Sequence, residues 1–185
     1  MHRALDHLGP RCHIPSLDLN AVFDIDQRSG NILWKLGGSA TPESLRITND
    51  PVFTNGSHFG GQHDARLLPD GTVTLHDNGT NLDRAPSAAR YQIDARAHTA
   101  AMLEQLSDSA AGPASPFGGS ARRLNGGDWV IGWGGTNTIS EFKNTGTRVF
   151  LMQFTPGTSI YRALPVPYGR LSPATLRADM DKQYP

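Results

Sequence analysis

Two stretches of this chain follow one plan, and that plan limits what it can fold into. ARLLPDGTVTLHDNG (Ala65 to Gly79) and ARRLNGGDWVIGWGG (Ala121 to Gly135) each set an Asp-Gly or Gly-Gly turn between two apolar runs, at the same offset from Ala-Arg. The alternation in Thr72-Val73-Thr74-Leu75 and in Trp129-Val130-Ile131 has the two-residue period of strands. Asp70-Gly71 supplies the positive φ that a tight hairpin requires. A second plan alternates with the first: AVFDIDQRSGNILWKLGG (Ala21 to Gly38), ARYQIDARAHTAAMLEQL (Ala89 to Leu106) and TISEFKNTGTRVFLMQF (Thr138 to Phe154). Each reads as a strand, a short turn near a polar pair, and a second strand with large apolar residues.

One unit of each kind makes a four-stranded antiparallel sheet, so residues 62–106 and 119–154 are expected as two complete blades. Ala21 to Leu36 is then the outer half of an earlier blade. The fold class expected is all-β and β-propeller-like, with about two and a half blades where propellers have about 4 to 8. On this count the propeller is truncated at its N-terminus. A β-sandwich or a small barrel also uses many short strands with regular turns. The organisation expected is an irregular segment over 1–18, a partial propeller over 19–170, and a tail over 171–185. In the tail, Ser172-Pro173 opens a short helix.

Charge and cysteine content exclude several classes. Lys plus Arg and Asp plus Glu are 17 each, so nothing steers the chain toward nucleic acid or an acidic surface. Cys12 is the only cysteine, which removes an internal disulfide and cysteine-rich metal sites. The first residues, MHRALDHLGPRCHIPSLD, lack the apolar run of a secretory signal, and no stretch approaches a membrane span. The compartment stays open, since an export signal upstream of Met1 would make the protein extracytoplasmic or secreted. No phosphate loop, H-E-x-x-H, G-x-S-x-G or C-x-x-C motif occurs, and no metal or cofactor is expected.

Chemistry is concentrated around GGQHDA. His63 follows Gly60-Gly61, where backbone can approach a ligand closely, and stands between Gln62 and Asp64. An imidazole there can take a proton, hold an oxyanion or act as a nucleophile, and it can equally well satisfy turn amides. Asp77-Asn78-Gly79 first makes a turn, and Arg84, Arg90 and Arg162 are planar forks that suit an oxyanion or a neighbouring carboxylate. Trp34, Trp129 and Trp133 read as packing residues. His2, His7, His13 and His98 read as surface positions, His76 as structural, and His58, five residues before His63, permits a metal site without arguing for one.

In content and order, AVFDIDQRSGNILWKLGG, QHDARLLPDGTVTLHDNG, ARYQID, WVIGWGG with SEF, and YRAL resemble the arylsulfotransferase family from about Leu19 to Tyr168. The resemblance implies a six-bladed propeller, of which this chain is similar to the C-terminal half. It also implies sulfuryl transfer from a phenolic sulfate ester to a phenol without a nucleotide donor. Aryl sulfate and phenol are thus the expected partners, together with self-association through open blade edges. His63 matches a channel histidine of the family and Arg84, beyond DNG, matches its channel arginine more loosely, so these two are the catalytic candidates. Gln62, Asp64, Asn78 and Arg162 are the substrate-binding candidates. The family's nucleophilic histidine follows a Gly-Gly, and here that stretch is GGTNTISEF, with Thr136, Asn137 and Thr138 in its place. The alternatives to an enzyme are a non-catalytic propeller that binds a ligand or protein, and an inactive fragment.

Overall fold

The structure, a computed structural model, describes residues 11–16, 19–54, 58–166 and 172–183. The described residues are mainly β. Three sheets account for the strands: β1 (Arg11–Ser16), β2 (Ala21–Asp26) and β3 (Ile32–Gly37) in the first, and β9 (Ser120–Arg123), β10 (Trp129–Gly132), β11 (Thr138–Phe142) and β12 (Arg148–Gln153) in the third. The second holds β4 (Arg46–Thr48), β5 (Gln62–Leu67), β6 (Thr72–Asp77), β7 (Ser87–Asp94) and β8 (Thr99–Leu106), in the order β4-β8-β7-β6-β5. All neighbours are antiparallel except β4, which lies parallel to β8. A short α1 (Pro51–Thr54) links β4 to β5, and α2 (Pro173–Gln183) is exposed throughout.

The hairpins form where the turn chemistry puts them. Gly71 takes φ +79° at the tip of β5-β6, and the Thr72 N–H and hydroxyl both donate to the Asp70 carboxylate (3.0 and 2.7 Å). One feature departs from the sequence reading. Arg11–Ser16, expected within the irregular segment, forms β1, with Pro15 opposite Val22. A proline is tolerated there because β1 is an edge strand and needs no donor on its outer side. Ala21 to Leu36 therefore belongs to a three-stranded sheet in which β2 is the middle strand. Tyr168, His2 and His7 lie outside the described residues, as does the side chain of His13.

Every residue of β6 is buried, which alternation with a wet face would not give. The reason is that the second sheet is the middle layer. Val73, Leu75, Ala89 and Tyr91 point into a core shared with Val22, Trp34, Leu36 and Phe59, while Ala88 joins Ala121, Trp129, Ile131, Trp133 and Phe142 in a core on the other side. His76 takes part in that second side, its ring meeting Trp133 edge to face at 5.8 Å. Glu104 on β8 ties this layer to the third sheet by accepting from Arg90, Arg123 and the Trp129 indole N–H. The last strand, β12, is exposed along its whole length.

Candidate functional site

The edge strand β5 carries the site. It opens after Gly60 and Gly61, and its pairing with β6 sets Gln62 opposite Asp77 and His63 opposite His76 before a bulge that runs to Arg66. Asp64 sits in that bulge at φ +53°, which turns its side chain across to β9. There its carboxylate accepts from the Ala121 N–H (3.2 Å) and pairs with Arg122 (2.7 Å). The segment after β12 closes over the start of β9. Ala163 N–H donates to the Ser120 hydroxyl (2.8 Å), and Gly119 N–H donates to the Tyr161 carbonyl (2.9 Å). This strap leaves the Arg162 side chain exposed, its guanidinium 5.3 Å from the centre of the Tyr161 ring.

The strap brings Arg162 into the field of β5. Its charge, together with partial burial as the larger effect, holds the His63 imidazole below the ordinary histidine pKa. Asp64 is buried, which raises its carboxyl, while Arg122, Arg162 and Arg66 act in the opposite direction. Arg122 in turn feels both Arg66 and Arg162. Arg122 pairs with the Asp64 carboxylate, Arg66 and Arg162 act on it through their charge, and near the half-buried histidine the guanidinium groups outnumber that carboxylate. Such a surplus favours an anion.

His63 Nε2 accepts a hydrogen bond from the Gly118 backbone N–H at 3.1 Å. An amide can only donate, so this nitrogen holds the lone pair and the single proton of the neutral ring is on Nδ1. His63 is accordingly a donor through Nδ1–H, and it becomes a base or nucleophile through Nε2 only if Gly118 lets go.

The other candidates take up different parts. Gln62 is fully buried and donates to the Ala21 carbonyl at 2.7 Å. Asn78 is also fully buried, with Nδ2 on the carbonyls of Gly61 (3.0 Å) and Gly118 (2.9 Å) and Oδ1 against His76 Nε2 (3.0 Å). Both therefore hold backbone in place. Arg84 bonds the Asp77 carboxylate (2.6 Å) and the His58 carbonyl (2.8 Å), so it anchors two loops. It also lines the larger of two adjoining recesses, of about 550 and 700 Å³, that share Thr80, Asn81 and Pro116. The smaller recess reaches Gly61, two residues from His63, and is bounded also by Asn20, His58 and Leu82. Among the described residues no cluster of three or more histidine, cysteine or carboxylate groups is placed to hold a metal. No described helix is long and apolar enough to cross a membrane.

Arg66 and Arg122 were not singled out by sequence. They stand after Ala65 and Ala121, at the same offset in the two first-plan repeats, and that equivalence was the available signal. The three residues in place of the family nucleophile are engaged locally: Thr136 Oγ1 accepts from Thr138 N–H (3.3 Å), Thr138 Oγ1 donates to the Ala110 carbonyl (3.2 Å), and Asn137 Nδ2 donates to the Phe154 carbonyl.

Burial of His76 has a measurable consequence. Desolvation lowers its pKa from 6.5 to about 4, outweighing the hydrogen bond with Asn78. A base with a lowered folded pKa is protonated first in the unfolded chain, so its stabilisation is complete above about pH 6.5 and is lost as pH falls toward 4. That amounts to roughly 3 kcal/mol at the acid end. Asp64 and Asp77, raised by burial, contribute with the opposite sign and offset part of it. Urea unfolding followed from pH 7 to 4.5 is expected to show a steeper loss of stability in the native sequence than in His76→Leu. Parallel curves would show that His76 does not titrate differently on folding.

Among solved structures the chain is similar to a crystal structure of a protein of unknown function from Bacteroides caccae, at 11% identity and a TM-score of 0.38. That match covers 77% of this chain and 57% of the other, so the chain spans little more than half its length. No curated protein matches. Residues 14–155 match the family described as Arylsulfotransferase (ASST), which is most of the sequence, and the chain belongs to that family.

Proposed function

We propose that this chain binds a phenolic sulfate ester and transfers its sulfuryl group to a phenol acceptor without a nucleotide donor. The observation that carries the reading is the placing of His63, capped at Nε2 by Gly118, near Asp64 and the three arginines that act on it, Arg66, Arg122 and Arg162. In this reading the sulfate oxygens take the Nδ1–H of His63 and the fork of Arg162, and the aryl group lies toward the recess bounded by Gly61, Leu82 and Pro116. With threonine and asparagine where the family has its nucleophile, transfer is direct. The acceptor oxygen bonds to sulfur, the aryl S–O bond breaks, and the acceptor's proton passes to the departing phenolate. Gln62, Asp64 and Asn78 support this from behind, as does Arg84 through Asp77.

We also read the three sheets as blades of a propeller. The inner strands β1, β5 and β9 lie side by side, and each sheet continues outward as an antiparallel meander, to which β4 adds a parallel outer strand in the second sheet.

Incubation with 4-nitrophenyl sulfate and phenol is the test, with phenyl sulfate detected by chromatography alongside released 4-nitrophenol. Saturable formation of both is expected. The engagement of Thr136, Asn137 and Thr138 in local bonds favours a second reading, a binding module for aryl sulfates. Calorimetric binding of 4-nitrophenyl sulfate by the folded chain with no phenyl sulfate formed would establish that reading and overturn transfer.

A further inference from the structure

We propose that Asn78 is a positioning residue that fixes the tautomer of His63 by clamping the Gly118 peptide. The inference rests on the reading that His63 faces the sulfate, but the clamp itself is a matter of hydrogen bonds. Asn78 Nδ2 donates to two carbonyls, Gly61 O at 3.0 Å and Gly118 O at 2.9 Å. Those bonds fix which end of the amide is nitrogen, so Oδ1 is the atom that meets His76 Nε2 at 3.0 Å. His76 Nε2 must therefore carry the proton. Its Nδ1, fully buried, has no hydrogen-bond partner among the described residues.

The order of bonds then runs from His76 Nε2–H to Asn78 Oδ1, from Asn78 Nδ2–H to Gly118 O, and from Gly118 N–H to His63 Nε2. Gly118 takes φ +68°, which turns its N–H and its C=O toward two different side chains. The adjoining glycines make room for the clamp. A Cβ on Gly119 would fall 2.2 Å from the His76 ring, and one on Gly134 would fall 2.9 Å from Asn78 Oδ1. The same amide grips Gly61, two residues before His63, so one side chain holds the strand start and the loop that caps the imidazole. Free neutral histidine favours the Nε2–H tautomer, and Asn78 reverses that preference. It leaves Nδ1–H as the group presented to an anion, with Nε2 protected from protonation.

The test is long-range proton–nitrogen correlation NMR on the full chain labelled with 15N-histidine, in sulfate-free buffer at pH 7.5. His63 is expected as the Nδ1–H tautomer in the native sequence and as a mixture richer in Nε2–H in Asn78→Ser and Asn78→Asp. In both variants its titration midpoint is expected to move up toward that of an ordinary histidine. Finding His63 as Nε2–H in the native sequence overturns the proposal even if neither variant folds. An unchanged tautomer in a variant whose thermal unfolding stays cooperative overturns it too. Because no turnover is measured, failure of the transfer assay leaves this result standing, and failure here leaves the transfer assay to be judged alone.

Discussion

Gly119→Ala is expected to destabilise the fold by about 3 kcal/mol or more, the sum of left-handed backbone strain and overpacking. Gly119 has φ +104°, where an L side chain is strained, and the added methyl would lie 2.2 to 2.9 Å from three atoms of the His76 ring. That ring cannot retreat. It is fully buried, packed against Trp133 at 5.8 Å and hydrogen-bonded to Asn78. Gly71→Ala is the control, since Gly71 also has a positive φ (+79°) but open space around it. Its cost is the backbone part alone, about 1 kcal/mol. Chemical denaturation of both variants checks the comparison. Equal losses would mean that the His76 contact yields without cost, and the clamp on Gly118 would then be softer than its hydrogen bonds suggest.

How much of this was legible in the sequence differs from residue to residue. Strands and turns were, because Asp70-Gly71 and the alternating runs act locally and need nothing beyond their neighbours. The family was as well, because five segments in fixed order carry more information than any one of them. Strand β1 was not, since the short alternation of Arg-Cys-His-Ile is cut off by Pro15 and the segment forms a strand by lying along β2. The parallel pairing of β4 with β8 joins segments about fifty residues apart, and no local pattern encodes it. Asn78 shows the deeper limit. A turn asparagine and a fully buried asparagine with both side-chain polar atoms engaged look the same in Asp-Asn-Gly, and the packing of β9 against β6 tells them apart. Arg84 is a similar case: the family resemblance offered it as a channel arginine, while its side chain bonds Asp77 and the His58 carbonyl and so braces two loops.

His63→Ala is expected to lower kcat/KM for sulfuryl transfer by about 10²- to 10³-fold, the usual cost of removing one donor from an oxyanion site. The effect should fall mainly on kcat if Nδ1–H bonds the sulfuryl oxygens most strongly as negative charge shifts onto them. Arg162→Gln tests the other half of the pair. Its side chain is exposed and lies over the Tyr161 ring, so it should act chiefly through KM by weakening attraction of the anion, and its effect should shrink as salt rises. Arg84→Ala should behave unlike either one. It leaves Asp77 buried without its cation and costs about 3 kcal/mol of stability, with activity per folded molecule changed much less. The pH profile supplies an independent check. Burial and Arg162 keep His63 below its ordinary pKa, so activity should stay level at neutral pH and change only in acid, where a proton on Nε2 keeps the Nδ1–H donor but expels the Gly118 N–H that positions the ring. If His63→Ala keeps transfer within a few fold of the native rate while its fold is intact, the imidazole serves only to receive Gly118, and the arginines alone hold the sulfate.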